Sequence, residues 1–478
     1  MNTKKIIIII VIVLIGISPF IISSLSSNEK IEDSENTLKS NIFDFYEDLR
    51  IKYDNSNTEK QLSNTIKNFL TSKSLTVNDL GNNLLLTKFK AVDGYKDADS
   101  TTLHISYSLS DKKKSAQVSA IAFATLINSS NHGDINLLIT PENKKSTSAS
   151  STLKKADIDT DNIINLTHWN KSALFNGSAF TKTYRVSKPL TYNYPSGTKA
   201  YKIEIANLKA DDSGDRSSKH TNPIVFIGDL LASAKASGTV MEIAEFTSSN
   251  NITDYPTNCK ALVVIDESNQ TKFTSKLEAS KNSFKDKNRN RDAEATFEYE
   301  EVAVPDRVIS LDDTSRLLSL LYTLVDGVYA TTEEDYEGDT LALTTIASID
   351  TTQDATLDIM ARTVDKDVSK EMDSSFKTIA NLSDFNITKK VRYPLWEADV
   401  KGTVEEPIQS EFTQFVQSVL KKHSMDPTPR YNFVESEMAY MHQINKKANM
   451  ISIGINIENA YDYAKALTTL FEEMKKTK

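Results

Sequence analysis

The residues of this chain whose types could do chemistry gather around positions 134–170. Glu142 follows a short apolar run, Ile135–Thr140, and a second apolar run comes at Ile163–Leu166. The pattern predicts a strand, a polar turn, a short helix and a second strand. A carboxylate such as that of Glu142 has the chemistry of an acid, a base or a metal ligand. Nearby acids and histidines could hold a metal ion with it, namely Asp134, Asp157, Asp161, His104, His132 and His168.

The order of motifs along the chain resembles the Xaa-His dipeptidases, a family of two-zinc peptidases of the aminoacylase type. Glu142 ends a strand where that family has a Glu-Glu pair, and residues 393–396, Tyr-Pro-Leu-Trp, are similar to its Tyr-Pro-Gly-Trp. The most specific match is Met450–Gly454, which is similar to a strand that precedes a zinc-ligating histidine. The resemblance extends in order over residues 40–478.

The resemblance implies one general base and five zinc-ligand positions, and only the base, Glu142, is retained. The five ligand positions hold, in chain order, Ser106, Lys113, Asn143, Thr167 and Tyr461. Hydroxyl and amide groups are poor zinc ligands beside imidazole and carboxylate, and the ammonium of Lys113 would repel a dication. We therefore expect no zinc and no other cofactor, with Glu142 as a vestigial base.

Four further positions correspond to the substrate side of the family's site: Asp212, Thr345, Arg362 and Glu437. Asp212 stands where the family has a histidine of its lid, and Thr345 where it has an asparagine. Arg362 matches an arginine that can hold a carboxylate by bidentate hydrogen bonds. The alternative for Arg362 is a surface arginine on an edge strand. His220 lies in a polar loop and is expected to be exposed.

The predicted fold class is α/β, with a peptidase-like core domain built on a mixed sheet and an inserted α+β lid domain. The core domain is expected to comprise residues 41–185 and 396–478, and the lid domain residues 186–395. Alternating or clustered apolar residues at Leu84–Lys90, Thr102–Leu109 and Ala200–Asn207 predict strands. Pro223–Ala236 is predicted to be a helix.

The amino-terminal 25 residues are predicted to be a signal anchor or a cleaved signal peptide. Lys4 and Lys5 precede an apolar run of 20 residues, Ile6–Leu25. This length suffices to cross a hydrocarbon core of roughly 30 Å. The run would make residues 6–25 a transmembrane helix, and the two lysines place the globular part outside the cytoplasm. Cleavage would instead give a secreted protein, and the polar residues 26–40 are predicted to be a linker.

The net charge and the single cysteine exclude some classes of function. The formal net charge is −9, and since Lys4 and Lys5 are the only charged residues before position 26, the rest of the chain carries −11. A nucleic-acid partner is therefore not expected, because phosphate binding needs a basic surface. Cys259 is the single cysteine, which excludes an internal disulfide and a thiolate-rich metal site.

These patterns lead to three alternative functions. The first is a membrane-anchored, extracytoplasmic, dipeptidase-like protein that is catalytically inactive and binds a peptide or protein partner in the former active-site cleft. The second is an active metallo-dipeptidase with non-standard ligands, although the titratable residues near Glu142 lack the family's His-x-Asp and Glu-Glu spacing. The third is an unrelated envelope binding protein.

Overall fold

The computed structural model describes residues 27–142, 148–214, 220–332, 339–398, 400–402 and 407–474. The helices are α1 (Ser27–Asp54), α2 (Glu59–Ser72), α3 (Lys112–Asn128), α4 (Pro223–Ala236), α5 (Gln270–Asn288), α6 (Leu311–Thr323), α7 (Lys366–Leu382), α8 (Glu411–Lys422), α9 (Met438–Ile444) and α10 (Ala460–Glu473). The strands are β1 (Val77–Gly81), β2 (Leu84–Phe89), β3 (Thr101–Tyr107), β4 (Ile135–Pro141), β5 (Asn162–His168), β6 (Ala173–Ser178), β7 (Phe180–Lys188), β8 (Tyr192–Asn193), β9 (Lys199–Ala206), β10 (Met241–Ser248), β11 (Cys259–Ile265), β12 (Thr296–Val302), β13 (Val308–Ile309), β14 (Gly327–Thr331), β15 (Thr340–Asp350), β16 (Ala355–Thr363), β17 (Asn386–Tyr393), β18 (Val400–Gly402), β19 (Pro407–Gln409), β20 (Pro429–Asn432) and β21 (Asn449–Ile455).

The first sheet has eight strands in the order β1-β2-β4-β3-β5-β21-β6-β20. Strand β3 runs parallel to both β4 and β5, and β21 runs parallel to β5, whereas β2 and β6 are antiparallel to their neighbours β4 and β21. The mixed sheet expected from the sequence is therefore confirmed. Because β4, β3, β5 and β21 are parallel, their carboxyl ends meet at one edge of the sheet.

The two faces of this sheet are covered by different elements. On one face Leu103, Ile105 and Tyr107 pack with apolar residues of α1, α3 and α10 in the largest cluster of this part of the chain. On the other face Leu138 and Ile163 pack with Trp396 and with residues of α9. Alternate residues of each strand face opposite sides, so β3 presents Thr102, His104 and Ser106 to the second face.

The second sheet has nine strands, with eight in the order β12-β9-β11-β10-β15-β16-β7-β17 and β14 paired beside β15. Its first strand along the chain, β7, begins at Phe180, whereas the sequence pattern predicts that the inserted domain starts at residue 186. The strand pairs with β16 over its whole length, from Phe180 opposite Thr363 to Lys188 opposite Ala355. This pairing assigns residues 180–185 to the second sheet. The division into two domains remains a prediction.

The segment predicted as a linker, residues 26–40, is helical from Ser27 onward, because α1 begins there and continues to Asp54. No glycine or proline interrupts the chain between these positions, so its polar residues can continue a helix. Within the described residues, no helix is long and apolar enough to span a membrane. The apolar run at residues 6–25, predicted to be a transmembrane helix, lies outside the described part of the chain.

Candidate functional site

A cavity of about 330 Å³ lies at the carboxyl ends of the parallel strands of the first sheet. Strand β3 contributes Ser106, β5 contributes Thr167 and His168, and Glu142 follows β4 directly. The backbone N–H of Glu142 donates to the carbonyl of Tyr107 at 2.7 Å, which ties the ends of β3 and β4 together. Asp212 reaches the cavity from the segment after β9. The structure thus brings together four of the predicted site residues, namely Ser106, Glu142, Thr167 and Asp212.

Two of the other predicted metal positions do not line this cavity. Lys113 is exposed, and its neighbour Lys114 lines the cavity instead. Tyr461 lies at the start of α10, where the ammonium of Lys39 on α1 sits 4.4 Å from the centre of its ring. Near it, Lys465 of α10 pairs with Glu35 of α1 at 2.7 Å, so this end of α10 is packed against α1. Asn143 lies outside the described residues.

The described side chains at these positions do not fit a pair of zinc ions. Ser106 and Thr167 offer neutral hydroxyls, and Lys114 adds a positive charge, whereas zinc in proteins takes thiolate, imidazole and carboxylate ligands. Among the residues that the structure describes, no three or more histidine, cysteine, aspartate or glutamate side chains are grouped so as to hold a metal ion. The donor set at the five positions therefore lacks the charge that a zinc pair needs.

His104, a candidate ligand in the alternative of displaced zinc ligands, is buried inside the sheet with both ring nitrogens engaged. Its Nδ1 lies 2.8 Å from Oδ1 of Asn165 and its Nε2 lies 2.9 Å from the hydroxyl of Thr140. The Nδ2 amide of Asn165 donates to Ser452 at 2.6 Å, so Oδ1 faces His104 and accepts from Nδ1. Burial lowers the pKa of His104 to about 4, so the ring is neutral at pH 7. We call Thr140, His104, Asn165 and Ser452 the buried polar network.

The other residues of that alternative are not gathered at one place. Asp134 and Asp161 precede β4 and β5, so they lie at the opposite edge of the sheet from Glu142. There Asp134 accepts from the Ala91 N–H and Asp161 from Ser100. His132, just before Asp134, is buried and its Nδ1 lies 2.7 Å from the carbonyl of Gly133.

Asp157 accepts from the backbone N–H of Lys154 in the segment between β4 and β5. Of the seven residues considered, only Glu142 and His168 line the cavity. Burial lowers the pKa of His168, and Lys114 lowers it further, so a neutral ring is favoured.

Arg362 lies inside the protein, so the alternative of a surface arginine on an edge strand is wrong. It sits on β16, between β15 and β7, and its side chain is 1% exposed. Its Nη1 donates to the hydroxyl of Ser213 at 2.7 Å, and its Nη2 lies 3.4 Å from Asp212 and 3.3 Å from Glu435. Burial opposes the charge of the guanidinium, but Glu435 and Asp212 outweigh burial and raise the pKa of Arg362.

Glu435 joins this group from the other sheet, because it follows β20 at the edge of the first sheet. Its side chain is 3% exposed, and burial raises the pKa of its carboxyl while Arg362 opposes the rise. Gly214, two residues after Asp212, packs against the Phe433 carbonyl, and a β-carbon there would lie 3.0 Å from Nε of Arg362. A side chain at 214 would therefore collide with the segment that carries Glu435.

The remaining substrate-side candidates are buried and do not line the cavity. Glu437 accepts hydrogen bonds from the hydroxyls of Ser148 and Tyr393. Burial raises the pKa of Glu437, and the negative charge of Glu142 adds to the rise. Thr345 is buried on β15 opposite Met360.

His220, expected to be exposed in its loop, has a side chain that is only 2% exposed. Its ring stacks on that of Tyr255 with centroids 4.2 Å apart. The expectation of an exposed loop histidine is therefore wrong, because a polar loop sequence carries no sign of the aromatic ring that covers it.

Two residues of the site were missed by the sequence. Glu435 was missed because no pattern links it to Arg362, 73 positions earlier in the chain. Lys114 was missed because the resemblance placed Lys113 at the site. One step along a helix turns a side chain by about 100°, so a shift of one residue exchanges a residue that lines the cavity for one that does not.

Comparisons with known proteins support the fold. No family model matches the sequence, and no curated protein matches it. Among solved structures, an aminoacylhistidine dipeptidase from Vibrio alginolyticus is similar with a TM-score of 0.66 and 17% identity, over 87% of this chain and 93% of that one. A tripeptidase from Staphylococcus aureus has a TM-score of 0.48 and 10% identity, over 92% and 98% of the two chains. A dinuclear metal binding peptidase of the M20 family from Bacillus subtilis has a TM-score of 0.37 and 8% identity, over 92% and 99%.

The likeness to the dipeptidase shows a mixed α/β, peptidase-like fold. At 17% identity the likeness concerns the fold alone, so activity and ligand have to be argued from the residues of this chain.

Proposed function

We propose that this protein is a peptidase-like binding protein that takes a peptide or a segment of a partner protein in the cavity at the carboxyl ends of β3, β4 and β5, without zinc-dependent hydrolysis. The observation that carries the proposal is the set of side chains at this edge. Strands β3 and β5 end with the hydroxyls of Ser106 and Thr167, Glu142 directly follows β4, and the ammonium of Lys114 reaches the cavity from α3. The other ionisable lining residues, Asp111, His168 and Asp212, form no group that could hold a metal ion among the described residues. Such a set can hydrogen-bond a peptide backbone but offers little to a zinc pair.

Glu142 is a vestigial base in this proposal. In a metal-assisted peptidase the ion lowers the pKa of its bound water from about 15.7 to near 7, which lets a carboxylate remove the proton. Lys114 and the hydroxyls of Ser106 and Thr167 do not hold such an ion, so Glu142 has no activated water to deprotonate. We infer that Glu142 contributes charge and hydrogen-bonding capacity to the cavity.

We further propose that the globular part is held at the outer face of a membrane by residues 6–25. The support is the sequence alone: an apolar run preceded by Lys4 and Lys5. In that case α1 directly follows the anchor. Glu35 on its amino-terminal half pairs with Lys465 of α10, which would connect the anchor to the core domain.

The decisive experiment measures zinc and hydrolysis in the same preparation. We expect the purified protein, equilibrated with zinc and then dialysed, to retain less than about one zinc ion per ten chains by elemental analysis. We also expect no cleavage of Xaa-His dipeptides. The Asn143→Glu variant should behave in the same way, because one added carboxylate cannot hold an ion without further ligands.

The matched control is the Vibrio alginolyticus dipeptidase, carried through the same zinc loading and the same assay. Stoichiometric zinc in this protein, or dipeptide turnover that a chelator abolishes and that Glu142→Ala removes, would contradict the proposal. That result would establish the alternative of an active metallo-dipeptidase.

A further inference from the structure

The wall beside the cavity contains a buried arginine whose charge is already matched by the protein's own carboxylates. Asp212, which lines the cavity, lies 3.4 Å from Nη2 of Arg362, and Glu435 lies 3.3 Å from the same nitrogen. Ser213 accepts from Nη1, and the carbonyl of Thr253 lies 3.3 Å from Nη2. A guanidinium at such a place is the group with which proteins most readily bind a carboxylate. Here two carboxylates already surround it.

The second cation at the cavity is engaged in the same way. Lys114 pairs with Asp111 at 2.7 Å. The lining and the adjacent wall thus hold two cations, Lys114 and Arg362, and His168, whose neutral ring is favoured. They also hold four carboxylates: Asp111, Glu142, Asp212 and Glu435. With His168 neutral and the other six groups ionised, these groups carry a formal charge of −2.

This charge balance determines whether the site favours a charged or an uncharged peptide group beside Arg362. A ligand carboxylate beside Arg362 would bring a third anion to one guanidinium, in surroundings where Arg362 and Glu435 are almost without solvent to screen the repulsion. An uncharged amide, or the internal peptide bonds of a protein segment, brings no such charge.

We propose that the carboxylate of Glu435 takes the place beside Arg362 that a ligand carboxylate would otherwise occupy. The cavity therefore recognises peptides without using a free C-terminal carboxylate. It binds a C-terminally blocked peptide or an internal protein segment at least as well as a peptide with a free C-terminus. This inference rests on the proposed peptide-binding function and specifies its ligand. Glu435 is then a specificity-determining residue that acts through Arg362.

The experiment uses the full chain in mild detergent at pH 7 and two pools of random hexapeptides. Both pools are built from uncharged residues and carry a free amino terminus, and they differ only in a free or an amidated carboxyl terminus. The protein and its bound peptides are separated from free peptides by size exclusion, and the retained peptides are counted by mass spectrometry. We expect the amidated pool to be retained at least as well as the free-acid pool.

The Glu435→Gln variant tests this role of the carboxylate. Glutamine keeps the volume and one acceptor oxygen but removes the charge, so we expect the ratio of free-acid to amidated peptide to rise at least threefold. Should this variant fail to fold, Asp212→Asn carries the same expectation, because Asp212 is the second carboxylate on Nη2 and its side chain is more exposed, at 12%. The matched control is Asp358→Asn. Asp358 lies on β16 and pairs with Arg185 of β7, so loss of its charge should leave the ratio of free-acid to amidated peptide unchanged.

The outcomes separate the two ideas. If wild type prefers the free acid, or if the folded variant changes the ratio less than threefold, the inference about Glu435 is overturned while peptide binding stands. If neither pool is retained by wild type, the peptide-binding function itself fails and the inference falls with it.

Discussion

Substituting His104 by glutamine should change how the stability of the first sheet depends on pH. His104 is fully buried in the polar network, and its pKa is lowered to about 4 from a usual 6.5. The unfolded chain therefore binds a proton between these values and the folded chain does not, so the contribution of His104 to stability is present above pH 6.5 and is lost as the pH falls toward 4. At about 1.4 kcal/mol per pH unit, the loss is about 1–2 kcal/mol at pH 5.5, about 2–3 kcal/mol at pH 4.5 and about 3 kcal/mol below pH 4.

Glutamine in place of His104 removes the titrating group. At pH 7.5 we expect His104→Gln to be less stable than wild type by about 1–3 kcal/mol, since glutamine leaves the buried groups of Asn165 and Thr140 without well-aligned hydrogen bonds. The difference should shrink by the amounts above as the pH falls, because only wild type pays the cost of the buried neutral imidazole.

Urea unfolding followed by tryptophan fluorescence measures this effect. The chain has two tryptophans and both report on the first sheet: Trp169 packs on Phe175 of β6, and Trp396 packs with Leu138 and Ile163. The control is His423→Gln, whose histidine also bonds a threonine hydroxyl, that of Thr469, but is only partly buried. Parallel loss of stability in wild type and His104→Gln between pH 7.5 and 4.5 would refute the assignment of a buried neutral histidine.

Two further predictions concern a buried carboxyl group and the amino terminus. Burial raises the pKa of Glu437, so the folded state holds the proton more tightly than the unfolded state, and stability is lost as the pH rises through the pKa of the folded state. Glu437→Gln should therefore raise the midpoint of urea unfolding at pH 7.5, by an amount that shrinks toward pH 4. A lower midpoint than that of wild type at pH 7.5 would contradict this prediction. The full chain should partition with membranes and a chain that starts at Asn28 should stay in the soluble fraction, whereas recovery from the medium of a protein without residues 1–25 would establish a cleaved signal peptide instead.

The sequence predicts best the elements whose signals are local. Helix α4 was predicted with the bounds found, Pro223–Ala236, because Asn222 caps it and a proline occupies its first turn. Strand β21 was anticipated because Met450–Gly454 is similar to a strand of the dipeptidase family. These signals involve only neighbouring residues, so they can be recognised without knowledge of the fold.

The surroundings of Tyr461 depend on contacts that the sequence does not show. The resemblance put Tyr461 at a zinc-ligand position, and residues 26–40 were predicted to be a linker. In the structure the amino-terminal half of α1 packs beside α10, with Lys39 over the ring of Tyr461 and Glu35 paired to Lys465. These contacts join positions more than 400 residues apart in the chain, and no periodicity in the sequence indicates them.

The same reasoning explains why the fold could be anticipated from the sequence while the chemistry of its site could not. The strands that end at the cavity are held in register by groups behind it: the apolar faces of β3 and β4, and the buried polar network that links β4, β3, β5 and β21. A slip of one residue would turn His104 toward α3 and separate it from Thr140 and Asn165. Ser106 and Thr167 lie beyond these contacts and are only partly buried, so their types can vary at little cost to stability. The sheet can therefore keep its shape whether its strand ends carry metal ligands or, as here, hydroxyls.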